Sequence, residues 1–140
     1  MEKIVSYGAT DRLPDGVPHR GEKGMNGNLV LIPRAVYEKV GPICGAYSHQ
    51  YGDYDYGWQL RKKGFEYYSS SSFCGVCPQQ PERYFHLKGR SLRERYQLLM
   101  NPKGFCLHDA VLYKYRNWGL IRAILSAVSV TVKVLLAYER

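Results

Sequence analysis

The sequence predicts an α/β fold in which short strands and short helices alternate, followed by a longer helical region. Two observations carry this prediction. Short apolar runs of strand length stand between glycine and proline residues in the middle of the chain. Towards the C-terminus, apolar residues recur at helical spacing instead. A chain of 140 residues is long enough for one domain with a buried core.

The chain divides into three segments by composition. Residues 1–24 form a loop-rich N-terminal segment, because proline and glycine interrupt polar residues there without an apolar period. Residues 25–80 hold the alternating strands and helices. Residues 81–140 form a basic helical region, with eleven Lys and Arg against four Asp and Glu.

The middle segment opens with an apolar run over residues 29–32. Gly27 and Pro33 bound this run, and its length predicts a buried strand. Pro33 then begins a helix over Arg34–Val40, which Gly41 ends.

A second helix is predicted over residues 53–63, with Gly64 ending it and a strand following over 65–68. Asp53 is predicted to cap this helix, because its carboxylate can accept an unpaired N–H and favours the positive end of the helix dipole. Side chains two positions apart diverge by about 200° around a helix. One of Asp53 and Asp55 is therefore expected in the turn before the helix.

The basic region is predicted as helix, turn and helix. Ser91 and Glu94 have the spacing of a capping box, and residues 101–104 have turn composition. Asp109 is predicted to cap a helix that continues through Trp118.

Residues 119–140 carry apolar side chains at helical spacing. Arg122 and Lys133 interrupt every apolar span of eighteen residues, so a clean transmembrane helix is not predicted. The stripe could lie in a membrane interface, pack on a partner chain or drive homo-oligomerisation.

The net charge is +8, from 20 Lys and Arg against 12 Asp and Glu. Such an excess favours anionic partners: a membrane surface, a nucleotide diphosphate or, as the weakest option, nucleic acid. Nucleic acid is not an expected partner, because no nucleic-acid-binding motif is present. The 13 tyrosines suit stacking on sugars, and they equally suit an ordinary core.

The four cysteines are expected to be reduced in a cytoplasmic protein, because the N-terminus lacks the apolar run of a signal peptide. Cys74 and Cys77 form a C-x-x-C pair. A structural zinc site needs four ligands, usually in two spaced pairs, and Cys44 and Cys106 stand alone. No metal is therefore predicted on this chain.

The acidic start of the second helix is the strongest candidate site. Tyr54, Tyr56 and Trp58 surround Asp53 and Asp55 with rings. Burial against rings raises the pKa of a carboxylate towards the range of a general base. The plain alternative is that Asp53 only caps the helix.

Other nearby residues are candidate sugar ligands. Asn26 and Asn28 could bond to sugar hydroxyls, and Gly27 lets the backbone approach a ligand; a turn explains all three equally well. His49 could bind an acceptor, assist at the metal or serve as a structural hydrogen-bonding group. Arg61 could hold the acids in place.

The order of these motifs resembles the second half of a family 2 glycosyltransferase. The family pattern is a glycine-containing strand, R-x-x-x-x-x-V-G, an acidic E/D-D-x-D and L-R-x-x-G. The matching stretches here are residues 25–34, Val40-Gly41, Gly52-Asp53-Tyr54-Asp55-Tyr56-Gly57 and Leu60-Arg61-Lys62-Lys63-Gly64. Gly52 stands where the family usually has Glu, so the acidic pair is reduced to Asp53.

The resemblance implies a partial GT-A-like domain, the fold of nucleotide-diphospho-sugar transferases. It also implies the C-terminal part of an inverting glycosyltransferase, which moves a sugar from a nucleotide-sugar donor to a hydroxyl of a glycan or lipid-linked acceptor. Asp53 would be the catalytic base and Asp55 would orient the site. The implied substrate-binding residues are Asn26, Gly27, Asn28, His49, Tyr54, Trp58 and Arg61.

In this family a D-x-D motif in the earlier half holds a divalent cation, Mg²⁺ or Mn²⁺, against the donor diphosphate. No such motif precedes residue 25 here. The cation is expected in the full-length enzyme. This chain alone is expected to be inactive. Its expected location is the cytoplasm, at the inner face of the membrane. The competing expectation is a non-catalytic basic module that docks on a membrane surface or a partner chain.

Overall fold

The computed structural model describes Gly16, Val17, Arg20, Met25 and residues 29–68 and 87–137. Four helices lie in these ranges: α1 (Arg34–Val40), α2 (Gly52–Lys62), α3 (Leu92–Met100) and α4 (Leu107–Leu135). The described residues are 59% helical and contain no strand or sheet. The predicted α/β fold with a GT-A-like domain is therefore wrong for this part of the chain.

The run over residues 29–32 has no regular secondary structure and pairs with no strand among the described residues. Leu29 is 75% exposed and Leu31 is 93% exposed, whereas Val30 and Ile32 pack against a core cluster. A backbone becomes a strand only when its N–H and C=O groups find a neighbouring strand. The prediction of a buried strand at this position is wrong.

The predicted strand over residues 65–68 does not form either. Tyr68 forms one antiparallel bridge with Arg20, and the Arg20 guanidinium lies 2.8 Å from the carboxylate of Glu66. One bridge does not make a strand. Burial alternates along 65–68, so the segment lies against a core on one side only.

The chain divides into two compact units. The first contains residues 1–44 and 53–80, and the second contains residues 45–52 and 81–140. Helix α1 and nearly all of α2 belong to the first unit, whereas α3 and α4 belong to the second.

Helix α1 has the predicted bounds. Pro33 precedes it, and the Pro33 carbonyl accepts the N–H groups of Val36 and Tyr37 at 2.9 and 3.0 Å. Gly41 ends it with a φ of 90°, and its N–H donates to the Tyr37 carbonyl at 2.7 Å. A left-handed φ of this kind suits glycine, which has no Cβ.

Helix α2 lies within one residue of its predicted bounds. Gly64 ends it with a φ of 80°, and the Phe65 N–H donates to the Leu60 carbonyl at 2.9 Å. Tyr56 and Leu60 turn inwards and form a buried cluster with Met25. The partly buried residues packed on this cluster are Val30, Ile32, Val36, Val40, Phe65 and Tyr67.

The capping box that begins α3 is confirmed. The Ser91 hydroxyl accepts the Glu94 N–H at 3.3 Å, and the Glu94 carboxylate accepts the Ser91 N–H at 2.8 Å. Each side chain therefore satisfies a backbone donor of the other residue, which fixes the first turn.

Helix α4 folds back on itself at Gly119. Gly119 has a φ of 83° and a ψ of −178°, which is not helical. Leu107 and Val134 nevertheless contribute to one cluster, which they form around Leu98 and Leu99. A straight helix would place Leu107 and Val134 about 40 Å apart. The two halves of α4, residues 107–118 and 120–135, must therefore fold towards each other.

Gly104 is fixed by a close approach of the backbone. A Cβ at this position would overlap the Leu98 carbonyl oxygen, which accepts the Phe105 N–H at 3.0 Å. We expect Gly104→Ala to lower the free energy of unfolding by about 2 kcal/mol, because the α3–α4 turn must open. Urea unfolding measures this. Gly45→Ala is the matched control, since nothing lies within 4 Å of its Cβ. Equal losses in the two variants would contradict the expectation.

Candidate functional site

Both acids of the candidate site lie in the first turn of α2. The expectation that one of them stands in the turn before the helix is therefore wrong. The Asp53 carboxylate accepts the Tyr54 N–H at 2.8 Å, so it satisfies one donor of the first turn, and the side chain is half-buried. Asp55 is 1% exposed, and its Oδ1 accepts a hydrogen bond from the Gln59 amide at 3.3 Å. The angular separation of positions i and i+2 thus leaves one acid reachable and seals the other.

The aromatic rings near these acids also differ in exposure. Tyr56 is 2% exposed and belongs to the core; burial, with a smaller contribution from Tyr37, raises the pKa of its hydroxyl. Tyr54 is exposed. Trp58 is half-buried and carries the Arg61 guanidinium 5.0 Å from its ring centroid. Tyr54 and Trp58 are therefore the rings that a sugar could reach, and Tyr56 is structural.

His49 belongs to the second unit. Its side chain is exposed, while its N–H donates to the Asp109 carboxylate at 3.0 Å. The same carboxylate accepts the N–H groups of Ser48, at 3.0 and 3.1 Å, and of Gln50, at 2.9 Å. The His108 ring nitrogen Nδ1 lies 2.9 Å from Oδ1 of Asp109. Three consecutive backbone donors thus converge on one buried acid.

Two further contacts hold this loop to the rest of the second unit. The Gln50 amide donates to the Pro102 carbonyl at 3.2 Å and to the Gly104 carbonyl. The Tyr51 ring stacks on Tyr113 of α4, with centroids 5.0 Å apart. Tyr51 also has a φ of 64°, a conformation that non-glycine residues seldom adopt. The loop is therefore held in a defined shape by groups of α4 and of the turn before it.

Asp109 is not the cap that the sequence predicts. Cys106 stands at the cap position of α4 with a φ of 44°, and Asp109 lies inside the first turn. Its side chain turns towards the loop over residues 48–50 instead of towards its own helix. Sequence reasoning missed this role because the partners lie about sixty residues away, beyond the reach of any local pattern.

The electrostatics of Asp109 follow from its partners. Burial alone would raise its pKa, but the N–H groups of Ser48, His49 and Gln50, together with the His108 ring, hold the pKa well below its ordinary value. Asp109 is therefore an anion at neutral pH, and its role is structural. Burial also raises the pKa of the neighbouring Cys106 thiol, which makes this cysteine unreactive at neutral pH.

Several predicted residues lie outside the described part of the chain, namely Asn26, Gly27, Asn28, Cys74 and Cys77. Within the described ranges, no group of three or more His, Cys, Asp or Glu side chains could hold a metal ion. That no cation binds this chain stays a prediction.

Comparison with protein-family models, curated proteins and solved structures finds no match to this chain. The resemblance to family 2 glycosyltransferases therefore rests on the motifs alone.

The Asp109 contacts predict a specific pH dependence. Its pKa in the folded protein is lowered relative to about 3.9 for an unfolded Asp. The stability it contributes is therefore present above about pH 4 and is lost as pH falls towards the folded-state pKa. We expect Asp109→Asn to lower the free energy of unfolding at pH 7 by about 3 kcal/mol and to flatten its decline below pH 5.

Urea unfolding between pH 3 and pH 7 measures this effect. Glu38→Gln is the control, because Glu38 pairs with Arg34 at an exposed position where such a pair contributes little. An acid limb as steep in Asp109→Asn as in the wild type would contradict the expectation.

Substitutions of the two acids of α2 should lower the free energy of unfolding by different amounts. We expect Asp55→Ala to lower the free energy of unfolding by about 2 kcal/mol, because it empties a sealed position and removes the partner of Gln59. Asp53→Ala removes one first-turn hydrogen bond and should cost about 1 kcal/mol or less. Thermal unfolding of both variants checks this, and the reverse order would show that Asp53 is the structural acid.

Proposed function

We propose that this chain supplies the acceptor-binding, base-bearing part of an inverting glycosyltransferase. The observation that carries the proposal is the first turn of α2, which holds half-buried Asp53, exposed Tyr54 and sealed Asp55. A general base must reach its substrate, and Asp53 meets that condition where Asp55 does not. The order of the family motifs along residues 25–80 supports the same assignment.

The chemistry assigned to these residues is proton transfer and positioning. The Asp53 carboxylate takes the proton of an acceptor hydroxyl as that oxygen bonds to the anomeric carbon of the donor sugar. The bond from that carbon to the nucleoside diphosphate breaks on the opposite side, which inverts the configuration. Tyr54 and Trp58 offer ring faces to the acceptor sugar.

The described residues hold no ligand set for the divalent cation that such an enzyme uses. In this proposal the cation, and the donor diphosphate that it holds, lie outside the described residues. We expect this chain alone to release no more nucleoside diphosphate than a buffer blank from nucleotide sugars with Mn²⁺ or Mg²⁺. Robust turnover by residues 1–140 would show that the donor site lies within this chain.

Carbohydrate binding tests the proposal directly. On a glycan array, we expect the chain to bind a restricted set of sugars through Tyr54 and Trp58. Trp58→Ala should weaken that binding about fivefold or more, since one stacked ring contributes about 1 kcal/mol or more. Tyr115→Ala, which removes an exposed ring of α4, is the matched control and should bind normally. Absence of glycan binding, or equal loss in the control, would overturn the proposal.

A docking module is the second candidate function. The observation that favours it is the exposed apolar surface of α4, which the transferase chemistry does not use.

A further inference from the structure

The second half of α4, residues 120–135, presents three different sides. One side packs inwards: Ala123 is 3% exposed, and Val134 is fully buried against α3. A second side is apolar and exposed. Its residues, together with Leu136 just after the helix, are 49% to 75% exposed: Leu120, Ile121, Ile124, Leu125, Val128, Val132 and Leu136.

The third side is polar. At about 100° per residue, Arg122, Ser129 and Lys133 share one narrow stripe beside the exposed apolar side. All three are exposed. The apolar side is therefore bordered by two cations along its length, and this order of sides is the one found in helices that lie in a membrane interface.

A cation and a tryptophan also lie next to Gly119, where this half-helix begins. Trp118 is 40% exposed immediately before Gly119, and the ammonium of Lys114 lies 4.5 Å from its ring centroid. Tryptophan favours the headgroup level of a bilayer, and cations favour its anionic lipids.

The helix Leu107–Leu135 is long and apolar enough to cross a membrane by length and composition alone. Its geometry argues against a span. The break at Gly119 leaves residues 120–135, which reach about 24 Å, short of a hydrocarbon core of about 30 Å. A span would also draw α3 into the hydrocarbon, with charged Arg93 and Glu94.

We propose that the exposed apolar side of residues 120–136 docks on an anionic lipid surface, with the helix axis in the plane of the interface. The apolar side enters the acyl boundary, and Arg122 and Lys133 reach the headgroup phosphates from its border. This proposal is independent of the transferase chemistry, because it uses no residue of α2.

Co-sedimentation with vesicles tests it. We expect the chain to bind vesicles of 30% phosphatidylglycerol in phosphatidylcholine at least tenfold more tightly than pure phosphatidylcholine, and less tightly as salt rises. Ile121→Glu with Leu125→Glu should abolish binding without unfolding the chain, because both side chains are exposed. Leu92→Glu is the matched control: Leu92 is 66% exposed on α3, and binding should persist.

Two further measurements separate the alternatives. Arg122→Gln with Lys133→Gln should remove the preference for phosphatidylglycerol while the chain stays folded by circular dichroism. An alkaline carbonate wash should release the bound chain, as expected for an interfacial helix. Retention after the wash would instead show a spanning helix and overturn the proposal.

Equal binding to neutral vesicles, or unchanged binding by the Ile121 and Leu125 variant, would also overturn it. A third contrary outcome is that the wild type does not bind vesicles but self-associates, and that this variant does not self-associate. The apolar side would then be an interface between copies of this chain.

Discussion

The carboxylate of Asp109 is the contact on which the second unit depends. It lies fully buried and accepts the N–H groups of residues 48, 49 and 50. A buried anion is costly unless donors surround it, and three unpaired backbone donors are costly unless an acceptor meets them. The carboxylate and the three N–H groups therefore each remove the desolvation cost of the other. This exchange explains why residues 45–52 belong to the second unit although the first unit flanks them in sequence.

The features that sequence reasoning located are those with local causes. Pro33 and Gly41 mark the ends of α1, Gly64 ends α2, and the Ser91–Glu94 box begins α3, because each signal acts within one helical turn. The features it missed depend on distant partners. An apolar run of four residues looks the same whether a second strand pairs with it or it lies unpaired with two side chains on a core, as residues 29–32 do.

The candidate site shows the same limit at the level of single side chains. The sequence placed two acids at the start of α2, and helical geometry required them to point in different directions. It could not say which one faced inwards, because an acid on a buried helix side contradicts the usual pattern of apolar burial. Gln59, one turn after Asp55, donates a hydrogen bond that helps to make this burial tolerable.

Exposed apolar residues are common on proteins, and a single one has no meaning by itself. The second half of α4 differs because its exposed apolar residues share one side of one helix, so their areas join into a continuous surface. Exposure of such a surface to water is unfavourable in proportion to its apolar area. The two cations beside it favour a binding partner that also carries negative charge. A protein partner could supply the apolar contact, but an anionic bilayer supplies both the apolar contact and the negative charge over the whole length of the helix.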